Sequence, residues 1–254
     1  MMYETLGQKP ILSKVPHGVV LITGASRGVG AAAAVLLAQR GFDIVVNYHS
    51  KRSRAEAVAA EVRARGRRAL LAQADLTLSS EVEAMIDSVG REFGRLDVLI
   101  LNASGGLEKG KPAEYAMQLN LTAQVRLVDL SLKWLPRDGR IVFVTSHMAH
   151  FYAERGMVGP YQPVAASKYA GEQALRGRRT EMATLGIHLA IVSGDMIEGT
   201  ITPRLLERMD RGTTQARRDS VGHLPTIAEF AKAISDAATN ENPSGDTIFV
   251  GSTL

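Results

Sequence analysis

The chain of 254 residues contains no cysteine. Disulfides, thiolate metal sites and cysteine nucleophiles are therefore excluded, and no metal site is expected. Aromatic residues are scarce at 5%, with one tryptophan, so no aromatic-rich basic module for nucleic acid accompanies the positive charge. No apolar run approaches the roughly 20 residues that a membrane-spanning helix needs. The opening MMYETLGQKPILSKVPHG has no apolar centre of a secretory signal. These absences lead to the expectation of a soluble cytoplasmic protein, with no nucleic acid and no membrane as partner. What is present is ordinary for a globular chain: 45% apolar and 22% charged residues, with a net charge of +4. Much of the positive charge falls between Lys51 and Arg68. It reads as a solvated helix face, or, at its start, as a phosphate-binding corner.

Along the chain, short β-rich apolar runs alternate with helical patterns. GVVLITG, DIVVNY, ALLAQAD, LDVLILNA, GRIVFVTS, IHLAIVSG and DTIFVG read as strands. AAAAVLLAQRG, RAEAVAAEVRARG, SSEVEAMIDSVGREFG, residues 113–135 and VAASKYAGEQALRGRRTEMATLG read as helices, the third with a serine cap at its start. This alternation predicts an α/β fold: a single-domain, doubly wound parallel sheet (Rossmann fold) with helices on both faces. Residues 1–17 read as an N-terminal arm, 18–254 as the domain, and 195–225 as a mobile insertion that closes over a substrate.

TGASRGVG, residues 23–30, follows the first strand and opens the first helix. Gly24, Gly28 and Gly30 there allow the backbone to approach a pyrophosphate, whose charge is met by N–H groups at the helix start. This TGxxxGxG turn resembles that of the short-chain dehydrogenase/reductase family, especially its 3-oxoacyl-carrier-protein-reductase-like members. Further marks agree in order over residues 18–251. They are Asp75-Leu76 after the third strand, Asn102-Ala103 with Ser104 where glycine is usual, Asn120, Ser146 and Lys168.

The resemblance implies a dinucleotide cofactor held by Gly24, Ser26, Arg27, Gly28, Val29, Gly30, Asp75, Leu76, Asn102, Ala103, Ser104 and Lys168, with Gly194, Ile197 and Thr200 near the carboxamide and phosphate. Cofactors with a bare ribose 2′-hydroxyl are usually met by an acidic residue at the end of the second strand. Here Asn47, Tyr48, His49 and Ser50 offer no carboxylate, while Arg27, Lys51 and Arg52 offer positive charge. A 2′-phosphate suits arginine. NADP(H) is therefore expected over NAD(H), with His49, Ser50 and Lys51 at the phosphate; the plain alternative for His49 is an exposed loop histidine.

In the family, hydride passes to a carbonyl carbon, a tyrosine protonates the oxygen, a serine orients it, and a lysine holds the ribose and lowers the tyrosine pKa. A phenol is a poor base at neutral pH unless a cation favours its ionised form. Four residues along a helix would put tyrosine and lysine one turn apart on one face. This chain has Asn120, Ser146 and Lys168, but Val164 stands at the tyrosine position. Tyr161 is the natural substitute, seven residues before the lysine and beside Pro160 and Pro163. With the helix starting near Pro163, Tyr161 either folds back onto the site as a displaced acid or packs at the helix start. His147, His150 and Tyr152 are further donors or pocket-lining residues.

The expected function is an NADPH-dependent carbonyl reductase or alcohol dehydrogenase acting on a small molecule, free or carrier-linked, with Asn120, Ser146, Lys168 and Tyr161 as its catalytic set. The alternative is a non-catalytic NADP(H)-binding sensor or partner-binding protein on the same fold. The resemblance also implies a homodimer or homotetramer.

Overall fold

A computed structural model of the chain describes residues 18–156, 159–239 and 246–253; the proposed arm, residues 1–17, lies outside them. In chain order the elements are β1 (Val19–Ile22), α1 (Gly28–Gln39), β2 (Asp43–Tyr48), α2 (Arg52–Arg63), β3 (Ala69–Gln73), α3 (Ser79–Phe93), β4 (Val98–Leu101) and α4 (Tyr115–Met117). A π-helical turn (Gln118–Thr122) follows, then α5 (Ala123–Ser131), β5 (Arg140–Ser146), α6 (His147–His150), α7 (Tyr152–Arg155), α8 (Gln162–Gly177) and α9 (Arg179–Thr184). The chain then forms β6 (His188–Gly194), α10 (Ile201–Met209), α11 (Thr213–Val221), α12 (Ile227–Thr239) and β7 (Thr247–Val250).

The strands form one parallel sheet in the order β3-β2-β1-β4-β5-β6-β7. Their apolar runs are explained by burial on both faces. Val20 and Ile22 of β1 join a core with α1, α2 and α12, while Val19 and Leu21 join a second core with α3, α5 and α8. Neighbouring residues of one strand thus serve opposite cores, as the period of two requires. Helix α1, rich in alanine, buries Ala33, Ala34 and Leu37. Its small side chains allow close approach, and alanine is the best helix former.

The strand order reverses between β1 and β4. In open α/β sheets a ligand binds beyond the carboxyl ends of the strands at such a switch point.

Several expected elements are corrected. The helix over 113–135 is interrupted by the π-turn around Asn120, a bulge that frequently marks a functional site. The helix over 164–186 divides at Arg178, whose guanidinium is held by Glu181 and Asp129. The serine cap of α3 is absent: Leu78 occupies the cap position without a side-chain bond, and Glu81 instead accepts from the Asp75 N–H at 2.7 Å. The stretch after Ser146 carries two short helices, α6 and α7, which the sequence pattern did not mark. The segment 195–225 carries α10 and α11, and α12 is an additional helix.

Candidate active site

At the carboxyl end of β1, the glycine turn is tied down by two asparagines. Asn47 of β2 accepts the Gly24 N–H on Oδ1 at 3.1 Å and donates from Nδ2 to the Ala72 carbonyl at 3.1 Å. Asn102 donates from Nδ2 to the Thr23 carbonyl at 2.9 Å, and the Asn102 and Ala103 N–H groups both donate to Thr23 Oγ1. The turn therefore keeps its shape through bonds made behind it. Gly28 opens α1 at φ +57, and a Cβ there would meet nothing within 4 Å. Glycine is required at this position by the left-handed backbone alone. Arg27 and Ser104 are exposed, Ser26 is partly so, and Val29 and Gly30 are buried.

Beside this turn lie the ends of β2 and β3. His49, Ser50, Lys51 and Arg52 are exposed. Arg27, Lys51 and Arg52 make no ion pair among the described residues, whereas Arg63, Arg65, Arg67 and Arg68 are all spent on carboxylates. The sequence cluster thus separates into a neutralised helix end and an unneutralised start. His49 Nε2 stands 3.4 Å from Asp75 Oδ2, and Asp75 Oδ1 accepts from both the N–H and the hydroxyl of Thr77. Leu76 next to it is buried.

The second half of the site is built on β5, the π-turn and α8. Ser146 ends β5 and caps α6, its Oγ accepting the Ala149 N–H at 3.3 Å. Asn120 is buried in the π-turn. Its Nδ2 donates to the Gly105 carbonyl at 2.8 Å and to Ser167 Oγ at 3.0 Å, while its Oδ1 accepts the Gly105 N–H at 3.3 Å. One side chain thereby joins the segment after β4 to α8. Lys168 is buried on α8 and makes no hydrogen bond or salt bridge among the described residues. Burial pulls its ammonium down to about 8, opposed by the charge of Glu172 one turn further on.

Tyr161 occupies the cap position of α8, with Pro163 in the first turn. Its hydroxyl donates to Ser146 Oγ at 3.2 Å. Of the two outcomes open from the sequence, Tyr161 therefore folds back onto Ser146. Burial pushes its phenol above the usual range, and the hydrogen bond with Ser146 offsets this only in part. Val164 packs beside it in a small apolar cluster with Leu107, Ala149, Ala165 and Leu206, flanked by Tyr152, Met196 and Leu205. Leu206 comes from α10, so the 195–225 segment lies against this corner.

The two histidines after Ser146 face elsewhere. His147 Nδ1 lies 2.9 Å from Ser193 Oγ, and burial pushes its imidazole down. His150 Nδ1 lies 2.7 Å from Glu172 Oε1. Neither is engaged with the Ser146 hydroxyl, and only Tyr152 of the three further donors joins the apolar cluster.

Gly194 ends β6 because Phe230 occupies its side-chain space: a Cβ would fall 1.7 Å from Phe230 Cε2. Ile197 packs on the main core, and Thr200 occupies the cap position of α10 without a side-chain cap bond, its hydroxyl donating instead to the Ile197 carbonyl at 2.9 Å. Asp195 is clamped by Arg217 through bonds of 2.9 Å from both Nε and Nη2. Glu172 was not among the expected site residues. Its signal in the sequence is the four-residue spacing of Lys168, Glu172 and Arg176.

Comparison with known proteins agrees with this architecture. The short chain dehydrogenase family profile matches residues 18–210. Hydroxynaphthalene reductase arp2 of Aspergillus fumigatus is 37% identical over 154 residues, covering 57% of this chain and 54% of that protein. The 1-cyclohexenylcarbonyl-CoA reductase of Streptomyces collinus is 34% identical over 188 residues, covering 71% of this chain and 65% of that protein. These matches thus span between half and two thirds of the relatives' own length. Among solved structures, a short chain dehydrogenase from Burkholderia cenocepacia in complex with NADP superposes with a TM-score of 0.81 at 27% identity, covering 92% of this chain and 96% of that one. With a profile match from β1 into α10, and the same fold in a solved relative, the chain belongs to the short-chain dehydrogenase family.

Proposed function

We propose that the chain is an NADPH-dependent carbonyl reductase whose proton donor is Tyr161, standing in for the tyrosine absent at position 164. The observation that carries this reading is the hydrogen bond from the Tyr161 hydroxyl to Ser146 Oγ at 3.2 Å. It pairs a phenol with the serine that ends β5, at the start of the helix that also bears the buried Lys168.

The residues present fit a phosphorylated dinucleotide. The start of the twelve-residue helix α1 offers N–H groups and a dipole to a pyrophosphate. Gly24, Ser26, Gly28, Val29 and Gly30 would line it. Arg27, Lys51 and Arg52, exposed and without ion-pair partners among the described residues, would hold a 2′-phosphate with His49 and Ser50. Asp75 and Leu76 would flank the adenine, and Asn102, Ala103, Ser104, Gly194, Ile197 and Thr200 the remainder. The solved Burkholderia relative in complex with NADP supports the same choice. When bound, the nicotinamide cofactor supplies the hydride.

This chain's own residues do the rest. Ser146 orients the carbonyl oxygen. Tyr161 gives that oxygen a proton. Lys168, charged below about pH 8, holds the ribose. Asn120 fixes the wall at Gly105 against α8. A phenol held above its usual range stays protonated at neutral pH, the form that carbonyl reduction requires. The apolar cluster around Tyr161 and Val164 supports a ketone on an apolar ring or chain, with α10 and α11 closing over it. On the family resemblance, the chain is proposed to work as a cytoplasmic homodimer or homotetramer; a monomeric mass by light scattering would exclude the assembly.

The test is NADPH consumption with a panel of cyclic, aromatic and carrier-linked 3-oxo substrates, alongside NADPH binding by fluorescence. Turnover that disappears in Tyr161→Phe supports the reading. The second reading, a cofactor-binding protein without chemistry, is favoured by Val164. Tight NADPH binding with no turnover on any carbonyl would select it.

A further inference from the structure

Glu172 is the one acid of α8 and has no exposed surface. It lies one turn beyond Lys168 and one turn before Arg176. Its Oε1 receives two partners, His150 Nδ1 at 2.7 Å and Arg176 Nε at 2.9 Å. Its Oε2 is buried without a hydrogen-bond partner among the described residues. A carboxylate held in this way is costly to bury unless its charge or its bonds serve a purpose. The charged or titratable groups that face it are Lys168 and Arg176 on its own helix and His150 from α6. From β7 it is reached only indirectly, through the bond from Arg176 Nη2 to the Thr247 hydroxyl at 2.6 Å.

His150 is the last residue of α6, and Ser146 is the cap of the same four-residue helix. Fixing one end of so short an element fixes the other. Through His150, therefore, Glu172 is bonded to the element that carries the Ser146 hydroxyl. Through α8 it is one turn from the lysine. The two halves of the catalytic corner, which reach the site from different elements, share this one carboxylate.

We propose that Glu172 is a positioning residue with two tasks: it anchors the Ser146-bearing helix α6 through His150, and it supplies the counter-charge that keeps Lys168 an ammonium. The proposal rests on the reading of Ser146 and Lys168 as site residues. The opposing pulls on Lys168, burial downward and Glu172 upward, support the second task.

The test separates the tasks with Glu172→Gln, which keeps the shape and removes the charge, and His150→Ala, which removes the anchor and leaves the charge. The first readout needs no cofactor: the pH titration of the Lys168 side chain by NMR of protein with 13Cε-labelled lysine, assigned by its loss in Lys168→Met. Glu172→Gln should lower the titration midpoint by about one pH unit or more, and His150→Ala should leave it in place. The second readout is the split between NADPH affinity and kcat. His150→Ala should lower kcat by about tenfold at unchanged NADPH affinity, because a serine that drifts by an ångström loses alignment.

An unmoved Lys168 midpoint in Glu172→Gln overturns the counter-charge task. Unchanged kcat in His150→Ala overturns the anchoring task. If Glu172→Gln does not fold, the double change Glu172→Gln with Arg176→Gln removes the buried carboxylate together with its partly exposed partner, and its Lys168 midpoint is read against that of Arg176→Gln alone, which keeps Glu172. A wild-type protein that turns over no carbonyl would defeat the functional reading, while the lysine titration would still decide the counter-charge.

Discussion

The Gly24–Gly30 turn and the Ser146 corner both sit at the carboxyl ends of strands of the same sheet, yet they are assembled differently. The turn is made of consecutive residues, and the side chains that brace it, Asn47 and Asn102, act from behind on backbone groups. The corner draws Asn120 from the π-turn, Ser146 from β5, and Tyr161 and Lys168 from the two ends of the first turns of α8, and depends on where side-chain atoms end. Backbone recognition of a phosphate tolerates many side chains. Proton transfer requires one hydroxyl in one place. A tyrosine can therefore be lost from position 164 and a phenol still reach the serine from position 161, because only the position of the oxygen matters.

Four changes would break or sharpen that contrast. Tyr161→Phe should reduce kcat by about 10²–10⁴-fold, the usual contribution of a general acid, while NADPH affinity stays near the wild-type value. A kinetic split that ran the other way would place Tyr161 with the cofactor rather than with the proton. Raising the pH through about 8 should weaken NADPH binding. Lys168 is charged below its folded value and neutral above it, so each pH unit beyond the midpoint should cost up to about tenfold in affinity. A flat profile from pH 7 to 10, checked by fluorescence titration, would remove Lys168 from the ribose. Gly28→Ala should destabilise the fold by about 1–2 kcal/mol, the cost of a left-handed non-glycine residue, since space itself is open there. Denaturant unfolding reads this directly, and a neutral result would mean that the turn relaxes.

The smallest effect should come from Val164→Tyr in the Tyr161→Phe background, which moves the phenol one turn towards Lys168. Val164 is buried and its Cγ2 would lie 3.0 Å from a Cβ at Gly106, so overpacking should cost about 1–3 kcal/mol. Partial recovery of kcat, with a pH optimum for alcohol oxidation shifted to lower pH, would show that the lysine acts on a phenol at position 164 and not on Tyr161. No recovery at all would mean that the surroundings of Ser146 have been rebuilt around the displaced tyrosine.

The sequence was most legible where structure is local. DIVVNY is strand β2 over its full length, because a run of apolar residues buried on both faces has few alternatives. The glycine turn could be read because a strand precedes it and a helix follows. Errors arose where a helix is broken by a tertiary bond, as at Asn120, which reaches Gly105 and Ser167. The link between His150 and Glu172 was hidden for the same reason: 22 residues separate them, and neither periodicity nor capping marks the contact.

By itself, then, the amino-acid order determined the alternation of strands and helices, the glycine turn after the first strand, and the absence of a tyrosine four residues before Lys168. These follow from short-range sterics and from the pattern of apolar residues. Only the tertiary structure decided that Tyr161 turns its hydroxyl to Ser146, that Lys168 is buried beside Glu172, and that α10 lays Leu206 against Val164. Each of these is a choice of side-chain direction between elements distant in sequence. Packing makes that choice, because a buried hydroxyl must find a partner and an apolar face must be covered.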